Sequence, residues 1–181
     1  MFGQHCERRA GAWPAAALLT LATGLSAVCE PALKEPAPAL TVTAADGREF
    51  DLEAMRGKVV LVDFWATWCA PCLAEFPVLR SFYRQYRSKG FELIALSIDK
   101  PRDRGKMRRL LAKEPFAGAL LSEAKQNGFG TPEAVPVSYV IDAKGIVRDK
   151  FIAIDKKLLN EVVVPLLSEE GVHPVNGRKA E

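Results

Sequence analysis

Val59-Val60-Leu61-Val62-Asp63-Phe64-Trp65-Ala66-Thr67-Trp68-Cys69-Ala70-Pro71-Cys72 is the stretch that decides the fold. Val59–Trp65 is apolar at every position except Asp63. A strand with one wet face alternates apolar and polar residues, and this one does not. It is therefore covered on both faces, as a central strand of a helix-flanked sheet is. Beyond it, Cys72, Phe76, Leu79, Tyr83 and Tyr86 recur at helical spacing and fall on one face. The helix opens around Cys69 to Cys72 and runs to about Lys89, with Gly90 as its exit. Pro77 inside it removes a backbone donor and predicts a kink.

Working outward, residues 91–98 read as the next buried strand. Residues 101–114 form a strongly basic helix with Met107, Leu110 and Leu111 facing inward. Residues 137–142 and 145–152 make a strand–turn–strand pair across Ala143-Lys144, and Asp155 caps a last helix to about Ser168. Upstream, Leu40–Thr43 and residues 48–51 flank the turn signal Asp46-Gly47 and predict a hairpin. The order is hairpin, β, α, β, α, a connecting segment, β, β, α. A strand–helix–strand crossover makes parallel pairs, and the late hairpin adds antiparallel ones. The expected fold is α/β: a mixed central β-sheet flanked by helices on both faces, with an N-terminal β-hairpin.

Residues 39–168 hold this domain. Residues 1–29 read as a signal peptide or membrane anchor: Arg8 and Arg9 precede an uncharged Ala/Leu-rich run, with small residues at Gly24, Ser26 and Ala27. That run is short for a ~30 Å hydrocarbon core. Residues 30–38 are a Pro-rich linker, and 169–181 a flexible polar tail. This layout predicts an extracytoplasmic protein, in the bacterial periplasm, soluble or anchored through its N-terminal segment. The net charge of +3 gives no reason to expect nucleic acid as a partner.

Of four cysteines, Cys6 and Cys29 lie in the leader and Cys69 and Cys72 in the domain. A pair three residues apart closes almost no loop, so chemistry explains it better than entropic stapling. At a helix N-terminus, unpaired N–H groups and the macrodipole favour negative charge, which lowers the Cys69 thiol below its free value of ~8.5 and makes it the nucleophile. Cys72 starts the apolar face, one turn deeper, and is the resolving thiol. Pro71 fits the first helical turn, and Ala70-Pro71 sets the loop geometry in which the bridge closes and reopens. A resolving thiol must lose a proton, and two carboxylates are candidates. Asp63 is a lone charge in a buried strand, where desolvation raises its pKa; its bland alternative is a structural acid paired with Lys58. Glu75 lies one turn beyond Cys72; its bland alternative faces solvent. Zinc needs four ligands, and His5 and His173 lie at the two ends; a c-type haem site needs His where Leu73 stands. No metal is expected, and no cofactor beyond the redox-active Cys69–Cys72 disulfide.

The segment from Phe64 to Cys72 resembles the active-site segment of the TlpA/ResA-like branch of the thioredoxin superfamily. The likeness runs from about Leu40 to Leu167 and includes Asp46-Gly47, Leu52, Gly57-Lys58, Glu75-Phe76-Pro77, and Val135-Pro136 before a strand ending Ile141-Asp142. It implies a thioredoxin-like fold and a thiol–disulfide oxidoreductase acting on exported proteins, for example in cytochrome c maturation. It implies a cis bond before Pro136, facing the cysteines, with the Val135 backbone ready to pair with an extended substrate. Trp68 is then an apolar wall beside Cys69, and Glu75 matches the branch's active-site glutamate. Asp63 matches the buried aspartate of thioredoxin, where this branch more often has Asn, so two proton acceptors remain. Residues 129–135 lack the usual glycine just before the cis-proline. The partners implied are protein thiols and disulfides and a membrane electron donor, for a monomeric enzyme. Alternatives are a copper-site assembly protein, which normally needs Cys-x-x-x-Cys and a distal His, a thiol peroxidase, and a binding module docking through the basic helix.

Overall fold

The computed structural model describes residues 31–169. In chain order its elements are β1 (Leu40–Thr43), β2 (Glu49–Asp51), β3 (Val59–Trp65), α1 (Ala70–Tyr86), β4 (Phe91–Ser97), α2 (Arg104–Leu111), β5 (Ala117–Leu120), β6 (Gln126–Asn127), β7 (Val137–Ile141), β8 (Val147–Phe151) and α3 (Lys156–Glu169). The reading of β3 as a strand covered on both faces is met at each position, since all seven residues, Asp63 included, are buried. It lies in the middle of a mixed five-stranded sheet of order β5-β4-β3-β7-β8. β4 pairs with it in parallel and β7 antiparallel.

Alternate residues of β3 feed two cores. Val59, Leu61 and Trp65 pack with Phe76 and Leu79 of α1, Met107 and Leu111 of α2, and Leu159 and Val163 of α3. Val60, Val62 and Phe64 pack with Leu40, Val42, Phe50 and Phe129. The α/β class and mixed sheet are as expected, but all three α-helices pack into the first core. The steps β3–α1–β4 and β4–α2–β5 move across the sheet in the same direction, and right-handed crossovers then put both helices on one face. The second face is covered by the small sheet β2-β1-β6 and the 3-10 turns Glu53–Met55 and Leu121–Glu123.

β1 and β2 pair around Gly47, whose φ of 88° suits the turn. α1 runs through Pro77 and ends in a 3-10 turn at Gly90, φ 89°. Asp155 caps α3 by accepting the Leu158 amide at 2.8 Å. Two strands lie inside the expected connecting segment. β5 has the sequence Ala-Gly-Ala-Leu, with little β-propensity, and is a strand because it completes the parallel edge beside β4. A Cβ on Gly118 would stand 2.6 Å from the Leu111 methyls, so glycine lets α2 seat on β5. β6 is two residues long and exists only through its pairing with β1.

Part of the expected linker is not a free spacer. Lys34 and Ala37 donate to the Val147 and Gly145 carbonyls at 2.7 and 2.8 Å, and Val147 donates to the Glu35 carbonyl at 2.9 Å. β8 is an edge strand with unpaired backbone groups, and these residues satisfy some of them. The proposed leader, residues 1–29, lies outside the described residues, as does nearly all of the tail. No helix among the described residues is long and apolar enough to cross a membrane.

Candidate active site

The chain leaves β3 at Trp65 and enters α1 at Ala70, and the bridge sits in the joint. Cys69 is the helix N-cap in extended conformation, with Pro71 in the first turn. Cys69 and Cys72 form a disulfide, their Cα atoms 5.4 Å apart. The Cys72 amide points at the Cys69 sulfur, N to Sγ 3.3 Å. In the reduced protein, that donor and the helix N-terminus both favour a thiolate at Cys69. Both residues are buried, at 5% and 1% exposure, with Cys72 the deeper.

The loop before Cys69 is held by a group that sequence reading missed. Buried Asp99 accepts the Thr67 amide at 2.9 Å and the Thr67 hydroxyl at 3.0 Å. The Ser97 hydroxyl donates to the same carboxylate at 2.5 Å. The signal was available: Ser97-Ile98-Asp99 is the polar end of an apolar parallel strand, where sheets of this type place their sites. Trp68 is thereby presented at the surface, 66% exposed, with Ala70 and Pro71 also exposed.

Facing the bridge from the β7 side is the Val135–Pro136 bond, which is cis. The Val135 carbonyl oxygen lies 3.7 Å from Cys69 Sγ. Beside Pro136 a cavity of about 490 Å³ is lined by Phe64, Phe129, Tyr139 and Ile152, and by the loop through Glu133.

Below the bridge lie the two carboxylates. Asp63 is 1% exposed and accepts a 2.7 Å hydrogen bond from the Ser138 hydroxyl. Burial pushes its pKa up to about 7, against the lowering effect of Ser138, and the Glu75 charge adds to the rise. Lys58 is not its partner: it lies at the other end of β3 and pairs with Glu92 at 3.9 Å. Glu75 is 7% exposed, not solvent-facing, and accepts the Ile154 amide at 3.0 Å. Burial raises its pKa too, and the Ile154 bond opposes that. Cys69, Cys72, Glu75, Asp63, Trp68, Ala70, Pro71, Val135 and Pro136 are thus gathered at one end of β3 and its two flanks. No group of three or more His, Cys, Asp or Glu among the described residues is arranged to hold a metal.

The chain is similar to known proteins in sequence and in fold. The family model for the AhpC/TSA family matches residues 33–150. A thiol–disulfide oxidoreductase ResA of Bacillus cereus is 34% identical over 116 residues, covering 64% of this chain and 67% of the relative. The chain belongs to the AhpC/TSA family, as a ResA-like member of the thioredoxin superfamily. A ResA of Bacillus subtilis is 36% identical over 62 residues, covering 34% of this chain and 35% of its own length. Among solved structures, a thioredoxin-family thiol:disulfide interchange protein of Chlorobium tepidum matches at TM-score 0.63 and 25% identity. The match covers 75% of this chain and 98% of that one. The thioredoxin domain of a thiol-disulfide oxidoreductase from Bacteroides vulgatus matches at TM-score 0.59 and 25% identity, over 72% and 96% of the two chains. This ResA-like protein is accordingly a protein-disulfide oxidoreductase whose cysteine pair is Cys69 and Cys72.

Proposed function

We propose that this ResA-like protein is exported and reduces disulfides of extracytoplasmic proteins, with apocytochrome c as the substrate class implied by its family likeness. The reading rests most heavily on one observation: the Cys69 sulfur lies 3.7 Å from the Val135 carbonyl, beside the cis Val135–Pro136 bond at the backbone edge leading into β7. An extended substrate pairing with that edge brings its own sulfur to Cys69.

The chemistry balances as follows. In the dithiol form, the Cys69 thiolate attacks one sulfur of the substrate disulfide; that bond breaks, and the departing sulfur takes up a proton. The substrate is now held on Cys69. Cys72 gives its proton to Asp63 or Glu75 and attacks the Cys69 sulfur, and the second substrate sulfur leaves. Two electrons have passed to the substrate, and the enzyme is left with the Cys69–Cys72 bridge. Trp68, Ala70, Pro71, Val135 and Pro136 position the substrate. A membrane electron donor restores the dithiol. The enzyme works as a monomer in the periplasm, delivered or tethered by residues 1–29, and uses no cofactor beyond its own bridge.

Insulin reduction by the wild type and by Cys69→Ser tests this. The wild type precipitates insulin chains and the variant does not; equal activity in the variant sinks the reading. A reduction potential between about −300 and −200 mV supports the reducing direction, and one near about −120 mV reverses it.

A further inference from the structure

The basic run noted in the sequence has a specific place in the fold. From Lys100 to Lys113 there are seven cationic side chains and one acid, the half-buried Asp103; Glu114, next along, is occupied by Arg80 at 2.6 Å. All seven cationic residues are exposed. Arg102 pairs with Asp103 and Arg104 with Glu123. Lys100, Lys106, Arg108, Arg109 and Lys113 have no acidic partner among the described residues.

The run begins one residue after Asp99, the carboxylate that holds the Thr67 amide next to Trp68. It therefore starts at the disulfide's edge of the sheet, on the β4 side, and continues down α2. On the β7 side, residues 126–136 carry Glu133 and no Lys or Arg. The bridge thus lies between a flank dense in cations and one whose cavity beside Pro136 carries Glu133 and a single cation, Lys150, while Trp68 next to Cys69 is 66% exposed. Exposed aromatic side chains and Arg are both enriched at protein interfaces, and unpaired charge of one sign steers a partner of the other.

We infer that the surface formed by Trp68 and the basic run Lys100 to Arg109 docks an acidic segment of the protein whose disulfide is exchanged. The inference rests on the proposed reductase reading and names the chemistry of its substrate. A membrane surface suits this patch less well. The segment leading back to residues 1–29 pairs with Gly145 and Val147, at the opposite end of the sheet from the bridge. A tether there sets Lys100 and Arg102, at the bridge end of β4, on the far side of the domain from the bilayer.

The test uses two peptide disulfides of equal length, one with Asp and Glu beside its cysteine and one with Ser and Asn. The reduced protein is mixed with each at low and high salt. The acidic peptide reacts about tenfold or more faster at low salt, and the advantage collapses at high salt and in Lys100→Glu/Arg102→Glu/Lys106→Glu. The neutral peptide reacts equally with wild type and variant. Equal rates for the two peptides, or an advantage that survives charge reversal, overturn the inference. A second arm titrates the oxidised protein with an acidic peptide lacking cysteine, following Trp fluorescence. Salt-sensitive binding lost in the variant supports the docking face even if neither peptide is reduced, an outcome that removes only the reductase reading. Binding to phosphatidylglycerol vesicles with no binding of the acidic peptide overturns it.

Discussion

Asp63 on β3 and Glu75 on α1, one turn beyond Cys72, are buried close enough for the charge on Glu75 to act on Asp63, and each has one neutral hydrogen-bond partner among the described residues, the Ser138 hydroxyl and the Ile154 amide. Neither is neutralised by a cation among the described residues. Each is buried, and the charge on Glu75 makes ionising Asp63 harder. Such a pair holds a proton near neutral pH, which is what a resolving thiol needs nearby.

In the proposed mechanism either carboxylate takes that proton. Asp63→Asn and Glu75→Gln should each slow release of the mixed disulfide by about tenfold at pH 7. The double variant should lose about a hundredfold or more, the usual reach of a positioned base. Stopped-flow decay of the mixed disulfide checks this. A double variant no slower than either single one rules out a shared role.

Stability should fall as pH rises through this range. Asp63 has its ordinary pKa of 3.8 when unfolded and about 7 when folded, so the native state binds more protons between those values. Its folded form is favoured below about pH 4 and progressively loses that advantage up to pH 7, by on the order of 4 kcal/mol. Urea unfolding should show Asp63→Asn more stable than wild type at pH 8 and similar at pH 4. A parallel pH dependence in the two proteins contradicts this.

Replacing Cys72 by Ser should stop the cycle at the mixed disulfide, since nothing remains to displace the substrate from Cys69. Mass spectrometry of the variant after mixing with an oxidised peptide should find the adduct. In the same variant, iodoacetamide alkylation should give a Cys69 pKa below the free value of ~8.5. A free-cysteine value removes the helix N-terminus from the mechanism.

Asp99 should matter to stability and rate together. Removing its carboxylate strands the Thr67 amide and two hydroxyls. Asp99→Ala should cost about 2–4 kcal/mol and lower insulin reduction measured at a temperature where the variant is folded. Asp99→Asn should recover part of both. An unfolding midpoint unchanged in Asp99→Ala disproves the clamp.

The seating of α2 depends on the missing side chain at Gly118. Gly118→Val should destabilise the fold by about 1–3 kcal/mol, because the new methyls meet Leu111. Calorimetry of Gly118→Val and of Gly118→Val/Leu111→Ala checks this, with the second change expected to restore part of the loss.

The sequence by itself determined the central strand, the helix that begins at the cysteines, the terminal hairpin and the deeper position of Cys72. These follow from local periodicity and turn chemistry, which a short window of residues carries. Tertiary structure alone decided the rest. β5 and β6 have no strand signal of their own and exist through pairing partners far away in the chain. The face on which α2 packs follows from strand order. Ser138 and the Ile154 amide became site residues because folding brought them to Asp63 and Glu75 across 75 and 79 positions of chain, and Asp99, signalled by its place at a strand end, found its partner Thr67 across 32. Local pattern reports which face of an element is apolar; only the closed fold reports which polar groups meet behind it.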